Sequence, residues 1–524
     1  MDIAMFCVFA AVTLAAMVFT ALREFHMFQL NGYKTPEHSW WMKKNFKRYI
    51  LPIALFVLQF TMIPLGAALP LIIGFTCFNA SFIVSNKPGK KFKKPLVYTA
   101  RVKRMLVTFG ILAALLTVGG LAAGGCDLEE AWSYIGLGSA LYVTPLLVPL
   151  SNLINKPIEK SIQNWYINDA KKMLADMPEL HKVGITGSYG KTSMKFYLSE
   201  LLSSKYETLK TPESYNTPMG VVKTIRMYLK PTHQYFVCEM GARRVGEIKE
   251  LCDIVSPHDA IITSIGPQHL ETFRSIENVT NTKFELADSI SPLGKIYLNG
   301  DNEYIRGKAP NYKNAVTYGL GGDNDYRASD ISVSETGTEF TVTAPDGTTC
   351  RYSTKLLGEH NVQNILGAIA YANGTGIPLD KLVLPVRRIS AVPHRLQLLD
   401  KGGGVTFIDD AYNSNPNGCR AALGVLKLFD ACRILVTPGM VELGEKQEEL
   451  NYEFGGEAAE VCDYIVLVGK AQTVPIYNGI KDKGYDMSRV YVADSLGDGL
   501  AKVQAYQTDK KKIVLLENDL PDNY

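Results

Sequence analysis

The sequence predicts an α-helical transmembrane region followed by two α/β domains. Three observations carry this. The first 154 of 524 residues hold most of the long uncharged apolar runs. A glycine-rich turn, VGITGSYGKTS at Val183–Ser193, joins a short apolar run to a helical stretch. β-type and helical segments alternate from Lys182 onward and again from Val405. A soluble chain of this length would form roughly three or four domains. The net charge of +3 says little about partners, and nucleic acid is not expected among them.

Ile3–Leu22, Leu106–Gly125 and Ile135–Ile154 each give 20 uncharged residues, enough for a helix to cross a bilayer. Ile50–Ser85 is uncharged over 36 residues, with Pro64 and Gly66 near its middle, and reads as a tight hairpin of two short spans. Arg23–Tyr49 and Asn86–Met105 are rich in Lys and Arg. Cys126–Tyr134 holds Asp127, Glu129 and Glu130 and no basic residue. The positive-inside bias places the basic loops in the cytoplasm and the acidic loop outside. That arrangement needs about five spans, puts the N-terminus outside, and leaves everything after about residue 155 cytoplasmic. The first run lacks a basic leader and is read as an anchor. No span carries an ionisable residue near its middle, so anchoring is expected rather than transport. The nine cysteines form no CxxC pair, which indicates neither a zinc site nor a disulfide framework.

Asn155–Met177, with Trp165 and Tyr166, reads as an amphipathic connecting helix near the membrane surface. The expected divisions are 1–154 (membrane), 155–177 (connector), 178–392 (central domain) and 393–524 (C-terminal domain).

The Val183–Ser193 turn has the features of a phosphate-binding loop. Gly187 and Gly190 let backbone N–H groups converge on phosphate oxygens, and the following helix adds its N-terminal partial charge. Ser188, Tyr189 and Ser193 line the same turn. Lys191 is placed for the β/γ-phosphates and Thr192 for Mg²⁺. The glycine spacing departs from the usual pattern: Gly184 comes one position early and Gly187 two late. β-type runs follow at Tyr206–Lys210, Tyr235–Glu239, Asp259–Ser264 and Lys295–Asn299, with helical stretches at Pro218–Leu229, Val245–Ile254 and Ile276–Ile290. This predicts a P-loop NTPase-like parallel sheet with ligands at its carboxyl edge. Glu239 ends an apolar run, where a buried carboxylate calls for a metal or a partner. Glu339–Ala344 and Thr348–Ser353 flank Asp346-Gly347 as a β-hairpin. Asn361 and Asn364 share a helix face. Val405–Ile408, Arg433–Thr437, Tyr464–Val468, Arg489–Val492 and Lys512–Leu516 predict a small Rossmann-like domain without a GxGxxG fingerprint.

Eight stretches in order resemble the Mur ligases: GITGSYGKTS; CEMGA at 238–242 with Gly246-Glu247-Ile248; Gln268-His269-Leu270-Glu271; Lys283-Phe284-Glu285; GEHNVQN at 358–364; Pro393-His394-Arg395-Leu396-Gln397; IDDAYNSNP at 408–416; and GMVELGE at 439–445. The resemblance covers about 178–517. It implies an ATP- and Mg²⁺-dependent amide ligase of bacterial peptidoglycan precursor synthesis. Such an enzyme adds D-alanyl-D-alanine, or another amino acid or dipeptide, to a muramyl peptide through an acyl phosphate. It further implies metal ligation by Thr192, Glu239, His269 and a carbamylated Lys283. Asn361 and Asn364 would meet the adenine, Arg395 the nucleotide, and Asp409 the ribose or nearby phosphate, with Asp410 as an alternative. Tyr412, Asn413 and Pro416 would shape the turn presenting them. Lys191, His269 and Lys283 are the expected catalytic set. Membrane helices occupy the place of the family's UDP-binding domain, and the family's Lys-Gly-Ser appears as Leu516-Glu517-Asn518. The acceptor is therefore either UDP-linked or lipid-linked. A third reading is an inactive ATP-binding scaffold that gathers cell-wall enzymes at the membrane.

Overall fold

The computed structural model describes residues 2–65, 68–86, 95–125, 127, 131–400, 404–411, 415–441 and 443–519. The chain divides into two compact units, Met1–Trp165 and Tyr166–Leu520.

The first unit is helical. Ile3–Leu30, Phe46–Leu65, Leu69–Asn86 and Ala100–Ala123 are long and apolar enough to cross a membrane. The first helix outruns the expected Ile3–Leu22. It carries Arg23 and Glu24 with it, because both find partners: Arg23 donates to Asn86 Oδ1 at 2.8 Å, and Glu24 accepts from the Tyr49 hydroxyl at 3.3 Å. The expected hairpin within Ile50–Ser85 appears as two helices, with Gly66 outside the described residues. The expected span Ile135–Ile154 appears as a broken one. Ala131–Tyr142 and Thr144–Ala175 meet at a 70° bend. Pro145 has no N–H for the Leu141 carbonyl, and its ring crowds that turn. One residue earlier, the Thr144 hydroxyl donates to the Ala140 carbonyl at 2.8 Å. The 12 residues of Ala131–Tyr142 rise about 18 Å, short of a bilayer core. Residues 155–175, read as a connecting helix, are helical and continue the helix that starts at Thr144.

The second unit holds two sheets. Among the described residues the first has nine strands: β1 (His181–Thr186), β2 (Thr208–Lys210), β3 (Tyr235–Glu239), β4 (Asp259–Ile262), β5 (Ile296–Asn299), β6 (Ala315–Gly319), β7 (Tyr326–Ser334), β8 (Gly337–Thr343) and β9 (Thr349–Thr354). Their order is β2-β3-β1-β4-β5-β6-β7-β8-β9, parallel as far as β7 and antiparallel beyond. β1, β3, β4 and β5 are almost wholly buried runs, as parallel strands covered on both faces must be. Val183 and Ile185 pack on helices Lys191–Leu202 and Glu359–Gly374. Phe236 and Ile262 pack on Pro218–Tyr228, Glu247–Val255 and Ile276–Asp288. The expected hairpin around Asp346-Gly347 is β8–β9. β6 and β7 were not expected.

The second sheet runs β10 (Gln397–Asp400), β11 (Val405–Asp410), β15 (Lys512–Glu517), β12 (Cys432–Thr437), β13 (Tyr464–Val468) and β14 (Val490–Ala493), in that spatial order. Only the β10–β11 pair is antiparallel among the described residues. Last in sequence, β15 lies in the middle, so Asp410 and Glu517 are register partners at the carboxyl edge.

Candidate active site

The buried β1 strand ends at Thr186 and the chain turns at once into helix Lys191–Leu202. Gly187, at φ +150°, leaves no room for a Cβ, which would overlap Thr263 Oγ1. Gly190, at φ +81°, forms the left-handed entry to the helix; a Cβ there would lie 2.6 Å from Asn364 Oδ1. The turn is pinned from β4: Ser188 N donates to the Ser264 carbonyl at 2.6 Å, and the Tyr189 hydroxyl to the Pro267 carbonyl at 2.7 Å. Lys191 Nζ folds back onto the carbonyls of Gly187 (2.6 Å) and Ser188 (2.8 Å). Burial pushes its pKa down to about 8, against the pull of Glu239, and Arg395 lowers it further. Thr192 and the buried Ser193 follow on the first helical turn.

Glu239, at the end of β3, is buried. Its Oε1 accepts from Thr192 Oγ1 at 3.1 Å and Asn216 Nδ2 at 2.9 Å. Its Oε2 lies 2.9 Å from Lys195 Nζ. Burial alone would raise its pKa, but Lys195 and Lys191 outweigh it and hold the carboxyl below its ordinary value. Thr192 Oγ1 and Glu239 Oε1 therefore meet as two hard oxygens beside the phosphate loop. That fits Mg²⁺, which binds through one or two protein oxygens together with substrate phosphates. Among the described residues, no three His, Cys, Asp or Glu side chains form a ready-made cage. His269 heads the short helix Leu270–Phe273 beyond β4, at φ 53°. Lys283 is buried on helix Ile276–Asp288, 5.9 Å from the Phe273 ring, and burial holds its amine well below the usual lysine range.

Asn361 and Asn364 sit in the first turns of helix Glu359–Gly374. Asn364 packs on Gly190, and its Nδ2 donates to the His360 carbonyl at 3.0 Å. Asn361 is turned inward: Oδ1 accepts from the Tyr197 hydroxyl at 2.7 Å and Nδ2 donates to the Leu357 carbonyl at 2.9 Å. From the turn just before β10, Arg395 comes close enough to Lys191, Tyr197 and Asp410 to shift their protonation. Asp409, next to last in β11, has Oδ2 2.8 Å from His394 Nδ1. Its neighbour Asp410 accepts from Leu396 N at 3.2 Å, and burial pushes its carboxyl up to about 6, with Asp409 adding to the rise. Tyr412 and Asn413 lie outside the described residues. Asn415 caps helix Pro416–Leu426 by accepting from Gly418 N at 2.9 Å.

The sequence reading missed Lys195, Asn216 and His394. Lys195 was discoverable, since it stands four residues after Lys191 and so one turn further along the same helix face.

Residues 185–372 match the Mur ligase middle domain, and residues 394–517 match the Mur ligase glutamate ligase domain. The chain is 30% identical over 333 residues to the UDP-N-acetylmuramoyl-tripeptide–D-alanyl-D-alanine ligase of Escherichia coli, covering 61% of this chain and 72% of that one. The chain belongs to the Mur ligase family. The enzyme of the same name from Bacillus subtilis is 31% identical over 292 residues, 55% of this chain and 62% of the relative. The chain thus spans roughly two thirds of these Mur ligases. Among solved Mur ligase structures, MurF from Acinetobacter baumannii superposes with a TM-score of 0.62 at 26% identity, covering 69% of this chain and 78% of that one. MurF from Thermotoga maritima in complex with ADP gives 0.62 at 26% identity, covering 68% and 80%.

Proposed function

We propose that the chain is a membrane-held, ATP-dependent ligase joining D-alanyl-D-alanine to UDP-N-acetylmuramoyl-tripeptide, with its catalytic unit in the bacterial cytoplasm. One observation carries the reading: a phosphate loop with Lys191, the Thr192–Glu239 pair and Arg395, from the turn before β10, converge. The names of the curated relatives support the substrates.

In this reading the acceptor carboxylate attacks the γ-phosphorus of ATP. ADP departs and an acyl phosphate forms. The dipeptide amine then adds to the acyl carbon; the tetrahedral adduct loses a proton and expels phosphate, leaving an amide. Such chemistry is chiefly positioning and charge neutralisation. Lys191 exchanges the Gly187 and Ser188 carbonyls for β/γ-phosphate oxygens. Arg395 brings a second positive charge from the opposite side. Thr192 and Glu239 would hold Mg²⁺, joined by His269 and Lys283. Mg²⁺ would neutralise charge developing on the transferred phosphoryl group. Buried and held toward its neutral form, Lys283 is suited to take up CO₂ as a carbamate, which would turn it into an oxygen ligand. Asn364 and Asp409 flank the nucleotide.

The test uses the full chain in lipid nanodiscs with ATP, D-alanyl-D-alanine and an acceptor whose carboxylate carries ¹⁸O. The expected result is the pentapeptide product, with one ¹⁸O in the released phosphate. Product without label transfer would refute the acyl phosphate, and no product at all would refute the substrates. A second reading, a lipid-linked acceptor, is favoured by the apolar helices that precede the matched domains. A chain starting at residue 155 that uses the soluble acceptor as well as the full chain does would exclude it.

A further inference from the structure

Lys195 has no part in the reading above, yet it is the most deeply placed cation beside the phosphate loop, with no exposed side-chain surface. It stands one turn beyond Lys191 on helix Lys191–Leu202. Its ammonium makes two contacts that matter. One is the 2.9 Å ion pair with Glu239 Oε2. The other is donation to the Glu213 carbonyl, in the loop that carries Asn216 to Glu239 Oε1. Glu239 is thus gripped at both oxygens, but unequally. Oε2 makes the ion pair, whereas Oε1 is hydrogen-bonded by the neutral Thr192 hydroxyl and Asn216 amide, with the Lys191 charge also acting on the carboxylate.

Resting on the ligase reading, we propose that Lys195 is a positioning residue that acts as a resident counter-cation of Glu239. It holds Oε2 and leaves Oε1 as the single metal-facing oxygen, so that a divalent cation is captured only together with nucleotide phosphates. The physical argument is one of charge. A buried carboxylate alone would attract a divalent ion by itself and grip it through both oxygens. One already neutralised by a fixed ammonium offers one oxygen and little net charge, so the remaining attraction must come from the triphosphate. Lys195 also ties the Glu213–Asn216 loop to the carboxylate, which fixes the direction in which Oε1 points.

The test is Lys195→Met in the full chain in nanodiscs, with Lys195→Gln as the companion because Gln keeps a donor for the Glu213 carbonyl. Mn²⁺ binding is read by electron paramagnetic resonance without nucleotide, and ATP binding by calorimetry with Mg²⁺ or with EDTA. The wild-type protein should hold Mn²⁺ weakly without nucleotide, and either variant should bind it at least about tenfold more tightly. The variants should also lose most of the gain in ATP affinity that Mg²⁺ gives the wild type, with kcat falling more than the KM for ATP rises. Unchanged nucleotide-free Mn²⁺ affinity in a folded Met or Gln variant would overturn the proposal and leave Lys195 a packing role. The ligase reading fails separately, if Lys191→Ala retains ATP binding.

Discussion

Lys191 shows what one residue contributes before any ligand arrives. Its ammonium is held by two carbonyls of its own loop, which neutralise nothing, and burial disfavours its charge. A triphosphate offers the stronger partner. Lys191, Thr192 and Glu239 were legible in sequence because phosphate and metal chemistry demand those groups at a strand-to-helix turn and a strand end. The position of Lys195 on the Lys191 helix face was legible, but its pairing with Glu239 was not, because that partner comes from another strand and only folding brings them together. Asn361 was read correctly as to its helix face, but its amide serves Tyr197 and Leu357. His360 supplies a prediction at this scale. Burial pushes its pKa from 6.5 to about 4. Between those values the unfolded chain binds a proton that the native ring refuses. Its contribution is therefore complete above about pH 6.5 and is lost as pH falls toward 4, by at most about tenfold per pH unit in the folding equilibrium. Melting temperatures across pH 4–7 should fall on the acid side in the wild type and flatten in His360→Gln. An identical acid limb in the variant would place the sensitivity elsewhere.

At the scale of elements, the buried strands β1, β3 and β4 were read almost to the residue, because parallel strands covered on both faces are continuous apolar runs. β7 escaped for the opposite reason. It reads YRASDISVS, half-exposed and polar, with a register shift between Ser329 and Ser332. Its pairing with β8 defines it, not its own pattern. The 135–154 run was legible as apolar but not as bent, because hydropathy counts side chains and not the missing N–H of Pro145. The phosphate turn is the element most sensitive to a single methyl group. In Gly190→Ala, a left-handed backbone costs roughly 1–2 kcal/mol, and the new Cβ would push Asn364 out of place. Calorimetry should show ATP affinity lowered at least about tenfold, with the melting temperature shifted by only a few degrees. Undiminished affinity would mean that the turn does not bind phosphate in this conformation.

For the whole molecule, fold class and family were both readable from ordered motifs, each weak alone. The order of the strands was not, because β15 reaches the centre of its sheet from the end of the chain. The helical unit was legible as apolar, though not in its bend. What remains is the claim that the two sheet domains close on one nucleotide. Its most direct test is acceptor-dependent phosphate release, with ATP binding measured alongside, in Lys191→Ala, Arg395→Ala and the double variant of the full chain. If both side chains hold the same triphosphate, each single variant loses at least about a hundredfold in kcat/KM, and the double loses far less than the product of the two. Full activity in Lys191→Ala, or strictly multiplicative losses in the pair, would contradict the account.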